Sequence, residues 1–442
     1  MYFTQYAKLI SICKIYLIFT EITFKMPDFK FRLPSINDLT DLQQVAFYEK
    51  RPVLVTGGPG SGKTVVTIFR FLRQITEDKN ALFFTYNRTL MSSIKGTLRQ
   101  QADIRLPELN ELEIEEILKS KIASIHEWYG SNFHVKLSDE SDEEILNNFD
   151  SLTKKLDKYS ELFIDEAQDI KLGIINGVYA ITNKISCGAD RSQDLQGQYI
   201  EPADDAIFTL LNNRTRTIRQ GLTLNFRNTK EIFEFARNFI PEDQTVHEID
   251  TNELNRGELP ELLGNQNENE QLSSILEIIK QSPNSNIGIL VHNSKQVLLI
   301  KKFLESNNFS CEENANDEIS FSYYYSSMPI KDKKVFESKL KTPFILTFES
   351  CKGLEFDIVV LPFFEWSDIA LNGQKYYKNE NNEKILEFNA NGTRKMWASP
   401  NHYYVAATRT RNSFYILYNK KPAILEFWKE DNIGKRLFDS NL

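Results

Sequence analysis

The residues Gly57-Gly58-Pro59-Gly60-Ser61-Gly62-Lys63-Thr64 meet every fixed position of the pattern G-x-x-x-x-G-K-[ST]. A glycine-rich turn of this kind points successive backbone N–H groups at phosphate oxygens, and the helix that follows adds positive potential at its N-terminus. Lys63 is then placed for the β- and γ-phosphates, and the Thr64 hydroxyl for Mg²⁺. A second group, Asp165-Glu166, closes the apolar run Leu162-Phe163-Ile164. Paired carboxylates at a strand end suit metal-assisted phosphoryl chemistry: Asp165 holds the ion through water, and Glu166 orients and deprotonates the attacking water.

These groups need a strand before each of them and a helix after the glycine turn. Pro52 to Thr56 supplies the first strand, and Val65, Ile68, Phe69 and Leu72 recur on one helical face behind the turn. Further strands are expected at Leu82–Phe84, Leu162–Ile164, Ile287–Val291, Ile345–Thr347, Ile358–Val360 and Tyr415–Leu417. Strands alternating with helical patterns predict an α/β fold with mainly parallel sheets, in two lobes dividing near residue 220. Residues 26–220 form the first lobe, with a small helical insertion at about 91–158, and residues 221–442 the second. Acidic stretches at 139–144, 252–270, 312–317 and 378–384 read as surface loops.

Composition narrows the class. Lys+Arg 53 against Asp+Glu 61 gives 53 − 61 = −8, which excludes a surface coated in positive charge but allows a local basic channel. Four cysteines far apart predict neither a disulfide scaffold nor a cysteine zinc site, and a reducing cytoplasm fits. Residues 1–25 hold an apolar stretch, Leu9 to Phe19, interrupted by Lys14. It is short for a membrane span; a native start at Met26 or a helix packed on the domain is favoured over a membrane or partner anchor. No membrane association is expected. The histidines are scattered, and no metal-ligand spacing suggests a nuclease centre.

With both phosphate motifs in hand, the sequence resembles the UvrD/Rep class of superfamily 1 DNA helicases, in order from residue 39 to residue 411. That resemblance implies two RecA-like P-loop lobes with an ATP cleft between them. Leu39-Thr40-Asp41-Leu42-Gln43-Gln44 is similar to the glutamine motif, which implies that Gln43 reads adenine. Gly188-Ala189-Asp190-Arg191-Ser192-Gln193 resembles motif III, with Gln193 sensing the γ-phosphate. Leu224-Asn225-Phe226-Arg227-Asn228 resembles motif IV, with Phe226 stacking on adenine and Arg227 reaching the γ-phosphate. Lys352-Gly353-Leu354-Glu355-Phe356-Asp357 is similar to motif V, with Glu355 on the ribose. Val405 to Arg411 resembles motif VI, with Arg409 as a second arginine finger. ATP, Mg²⁺ and single-stranded DNA, or RNA, are the implied ligands.

The chain departs from the family where a strand would be gripped. No aromatic pair follows Gln193, Tyr199 being the nearest ring, and Glu349 stands near the histidine position of motif V. Thr85-Tyr86-Asn87-Arg88 approximates motif Ia, with Tyr86 and Arg88 as strand contacts. Room for accessory domains is small. Two readings follow: a translocase on single-stranded nucleic acid, or an ATP-dependent switch regulating a partner such as a nuclease in a genome-defence or repair complex.

Overall fold

The computed structural model describes residues 32–427 apart from 138–139, 153–157, 196–198, 200, 241–243, 313–314, 317–318, 330–332, 334–339, 373–375, 379–383 and 387–397. Six strands build the first sheet: β1 Val53–Gly57, β2 Ala81–Thr85, β3 Ile122–Ser124, β4 Glu161–Asp165, β5 Ile185–Ala189 and β6 Ile218–Leu222. They lie in the order β3-β2-β4-β5-β1-β6, every pair parallel. The second sheet takes β7 Glu261–Leu263, β8 Ile287–Val291, β9 Ser322–Tyr324, β10 Phe344–Thr347, β11 Phe356–Leu361 and β14 Thr410–Leu417 in the order β7-β14-β11-β8-β10-β9, again parallel. A short antiparallel hairpin, β12 Tyr376–Lys378 and β13 Lys384–Leu386, stands apart. The fold is α/β, with two lobes of the RecA-like kind.

Strands buried on both faces read as unbroken apolar runs, and β1, β2, β4, β8 and β11 are buried at every position. The unforeseen strands of the two sheets, β3, β5, β6, β7 and β9, lack that signal. β5, Ile-Ser-Cys-Gly-Ala, is fully buried but small and polar in sequence. β6 is a half-exposed edge, and β3, β7 and β9 have three residues each. β6 reaches Leu222 inside the first sheet, so the chain passes between lobes after that residue. β3 joins the far edge of the first sheet from within the stretch expected to be a helical insertion.

Two of the acidic stretches are more than loops. A helix begins at Asp142, and β7 with the helix Glu268–Gln281 occupies part of 252–270. Asp142, Glu143, Glu144, Glu268 and Glu270 sit in first turns, where they face the positive end of the helix dipole. Among the described residues no helix is long and apolar enough to cross a membrane, and the stretch Leu9 to Phe19 lies outside them.

One apolar cluster runs through both lobes, from Phe71, Phe83 and Phe163 to Phe235, Phe356 and Tyr403. The other face of the first sheet is covered by Tyr129, Phe149, Ile145 and Ile175. A buried cation ties the helix behind the glycine turn to this framework. Arg70, 1% exposed, donates to the carbonyls of Ala46 and Glu49 at 2.7 Å, to that of Arg51 at 3.0 Å and to Glu161 at 3.0 Å. Arg70→Met therefore leaves Glu161 buried and unpaired, and is expected to cost about 3–5 kcal/mol. Urea unfolding reads this as a lower midpoint at unchanged slope, and adding Glu161→Gln should return part of the loss. A midpoint equal to wild type would deny Arg70 this role.

Candidate nucleotide site and inter-lobe groove

Local chain geometry builds the loop first. Gly60 and Gly62 have φ of +69° and +89°, where a side chain would be strained. A Cβ on Gly62 would meet the Gln43 carboxamide, and one on Gly60 would meet Asn225. The loop thus needs glycine twice over, for its turn and for the close approach of both lobes.

A cavity of ≈ 500 Å³ opens at this loop between the lobes. Gly60, Ser61, Gly62, Lys63, Thr64, Gln43, Glu166 and Gln193 line it from the first lobe, and Phe226, Arg227, Glu355 and Arg409 from the second. The two motif sets, distant in sequence, face each other. Arg32, Leu33 and Arg411 are also among the lining residues, and no candidate role follows for them from the sequence. Nothing in a residue type marks them; their position does.

The phosphate end is connected across the cleft. Lys63 Nζ donates to the carbonyls of Gly57 at 2.9 Å and Gly58 at 2.8 Å, and lies 3.5 Å from Asp190 Oδ2. Gln193 Nε2 donates to the same Asp190 oxygen at 2.6 Å, while Gln193 Oε1 accepts from Arg409 of the second lobe at 2.9 Å. The order Lys63, Asp190, Gln193, Arg409 is therefore one continuous polar path. Neighbouring charges and hydrogen bonds hold the Asp190 carboxyl below its ordinary value in spite of burial.

Arg409 is 1% exposed, and its Nε is fixed by the Val405 carbonyl at 3.0 Å. Arg227 is held by Glu355 at 3.3 Å and by the Thr408 carbonyl at 3.3 Å. Burial first, and the nearby Arg409 second, push the Arg227 guanidinium down to about 10. Two guanidiniums brought together out of water favour an anion between them. Asn228 locks motif IV to motif VI, donating to the carbonyls of Thr408 at 3.2 Å and Thr410 at 2.6 Å.

Glu166 stands at the end of β4 with φ +53°, a left-handed backbone that costs an ordinary residue about 1–3 kcal/mol. Gln168 Nε2 donates to its Oε2 at 2.6 Å, and Gln168 Oε1 accepts from the Asp190 N–H at 3.1 Å. Gln168 thus ties the carboxylate to the polar path, a role its place two residues after Glu166 does not reveal. Asp165 lies beneath, fully buried, accepting from the Thr64 hydroxyl with its Oδ2 buried and unpartnered. Burial and then Glu166 raise its carboxyl to about 7. An orphaned, charge-starved oxygen beside a hydroxyl is a hard-donor set that fits Mg²⁺.

At the opposite end the ring of Phe226 is 51% exposed into the cavity, and its N–H donates to the Gly60 carbonyl at 2.9 Å. Gln43 accepts from the Thr40 N–H at 3.0 Å and donates to the Ser61 carbonyl at 3.0 Å. Its carboxamide keeps one N–H and one lone pair for a base. Glu355 is shared between Arg227 and Arg411, the latter at 3.2 Å.

A second cavity of ≈ 340 Å³ lies between the lobes, lined by Tyr86, Arg88, His126, Glu127, Asp169, Tyr324, Glu349 and Lys352. Its cations are spoken for. Arg88 pairs with Glu127, and Lys352 with Asp169 at 2.6 Å, both of the latter 2% exposed. Glu349 is exposed at this cavity, and Tyr199 donates to the Ile170 carbonyl.

Comparison with known proteins agrees with this geometry. Residues 50–244 match the family model for the Schlafen group 3, DNA/RNA helicase domain, and residues 221–324 that for the UvrD-like helicase C-terminal domain. Both matched models are of helicase domains, and together they run from residue 50 to residue 324. A solved structure, the C-terminal domain of a possible DNA helicase from Lactobacillus plantarum WCFS1, is similar at 12% identity and a TM-score of 0.28, over 47% of this chain and 95% of that one. No curated protein matches the sequence.

Proposed function

We propose that this helicase-like chain hydrolyses ATP in the cleft and uses the resulting lobe motion to move along single-stranded DNA. The polar path from Lys63 through Asp190 and Gln193 to Arg409 carries the reading, because it joins both lobes where a γ-phosphate would sit. Phosphate entering the loop replaces the carbonyls and Asp190 as partners of Lys63. Phe226 stacks on the base, Gln43 reads its edge, and Glu355 takes the ribose. Thr64 and Asp165 would hold Mg²⁺, which when bound neutralises charge on the phosphate oxygens. Glu166 orients water and accepts its proton, and Arg227 with Arg409 stabilises charge on the transferring phosphoryl group. Loss of that phosphate removes the anion the two arginines share, so the cleft relaxes, giving a hinge cycle.

The paired cations of the second groove support another reading, an ATP-driven switch whose lobes regulate a protein partner such as a nuclease. A phosphate backbone would have to compete with Glu127 for Arg88 and with Asp169 for Lys352. Steady-state ATP hydrolysis with and without single-stranded DNA and RNA separates the two, with Lys63→Ala as the blank. The translocase requires strand-stimulated turnover that Arg88→Ala blunts. Turnover indifferent to both strands would refute movement along nucleic acid and favour the switch.

A further inference from the structure

All strands of the first sheet run parallel, so their N-terminal ends share one edge, opposite the glycine turn that follows β1. The turns on that edge are basic. Lys50 precedes β1, Lys121 precedes β3, Lys158 precedes β4 and Lys184 precedes β5. A cavity of ≈ 480 Å³ opens among them, lined by Tyr48, Lys50, Arg73, Lys79, Glu161 and Lys184 among others.

The carboxylates on this edge are largely paired already, Glu77 with a cation of the cavity itself. Glu161 accepts from Arg70 and Ser186, Glu77 pairs with Lys79, and Glu49 pairs with Arg51 at 2.7 Å. Asp78, exposed on the turn before β2, offsets one further charge. Lys79 aside, the hydrogen-bonded cations are oriented by neutral groups, which leaves their charge in place. Arg73 donates to the Phe47 carbonyl at 2.5 Å, Lys121 to the Asn80 side-chain oxygen at 2.7 Å and Lys158 to that of Asn183 at 3.3 Å. Lys50 and Lys184 are exposed and form no ion pair among the described residues. In a chain of net charge −8 this is a local positive pole. Tyr48, 65% exposed, stands at its rim.

We propose that this edge binds a single-stranded nucleic-acid segment, its phosphates on the lysines and a base stacked on Tyr48, separately from the groove between the lobes. Exposed lysines spaced along strand ends suit a flexible polyanion, and an exposed ring adds the sequence-tolerant face that an unpaired base can use. A duplex, whose bases are already stacked, gains nothing from Tyr48.

The test is binding of a fluorescent oligo(dT) to the full chain, followed by anisotropy across a salt series. Lys50→Glu with Lys184→Glu is expected to weaken binding about tenfold or more and to flatten the salt slope by ~1.4, two contacts at about 0.7 each. Hydrolysis of ATP without oligonucleotide should not change in that variant. Tyr48→Ala should weaken oligo(dT) and leave duplex binding as it was. If the double reversal unfolds at lower temperature than wild type, Lys50→Gln with Lys184→Gln carries the same test, since it removes charge without adding any. An unchanged Kd and salt slope in the charge variants would overturn the proposal, as would equal competition by poly-glutamate. Because binding is read without nucleotide, an inactive ATP site would count against the proposed function and leave this result legible.

Discussion

Lys63→Ala is expected to abolish ATP turnover, and Glu166→Gln to lower kcat by about 10²–10⁴ while ATP still binds. The two losses differ in kind. Lys63 is the cation of the loop, so its removal takes away phosphate affinity and also leaves Asp190, fully buried, without its nearest positive charge. Glu166→Gln keeps the size of the side chain, yet the amide cannot take a proton. Nucleotide binding measured beside single-turnover hydrolysis tells them apart. Retained hydrolysis in Glu166→Gln would mean that another group activates the water, and the neighbouring Asp165 carboxylate would be the first to examine.

The second large effect falls on the other lobe. Arg227→Ala and Arg409→Ala should each reduce kcat by roughly 10³ or more with a smaller change in ATP affinity. Each guanidinium is already aimed: Arg409 by the Val405 carbonyl and Gln193, Arg227 by Glu355 and the Thr408 carbonyl. A lysine in either place offers a point charge and cannot reproduce that fork, so Arg→Lys should recover little. Near-normal kcat in both alanine variants would show that the second lobe does not take part in hydrolysis.

The glycine loop and the Asp165-Glu166 pair were legible in the chain because each is a contiguous string whose function depends on local backbone geometry. Gln193, Arg227, Glu355 and Arg409 were legible only as members of an ordered series, since a single glutamine or arginine carries no signal by itself. The cavity lining brings them all together. Lys352 is different. Its place in a motif was plain, but its burial against Asp169 was not, because that partner lies 183 positions away. Arg70 belongs to no motif and nothing in its neighbours along the chain marks it; three carbonyls and Glu161 make it a tie between elements.

By itself the amino-acid order determined the phosphate loop, the carboxylates after β4, the long central strands and the two-lobed α/β plan, all consequences of short-range patterning. Tertiary structure decided the short and edge strands, the polar path across the cleft and the pairing of the cations in the second groove. It also gathered lysines from separate turns onto one sheet edge. Those features depend on which distant groups share a buried space, where the loss of water makes each charge seek a partner.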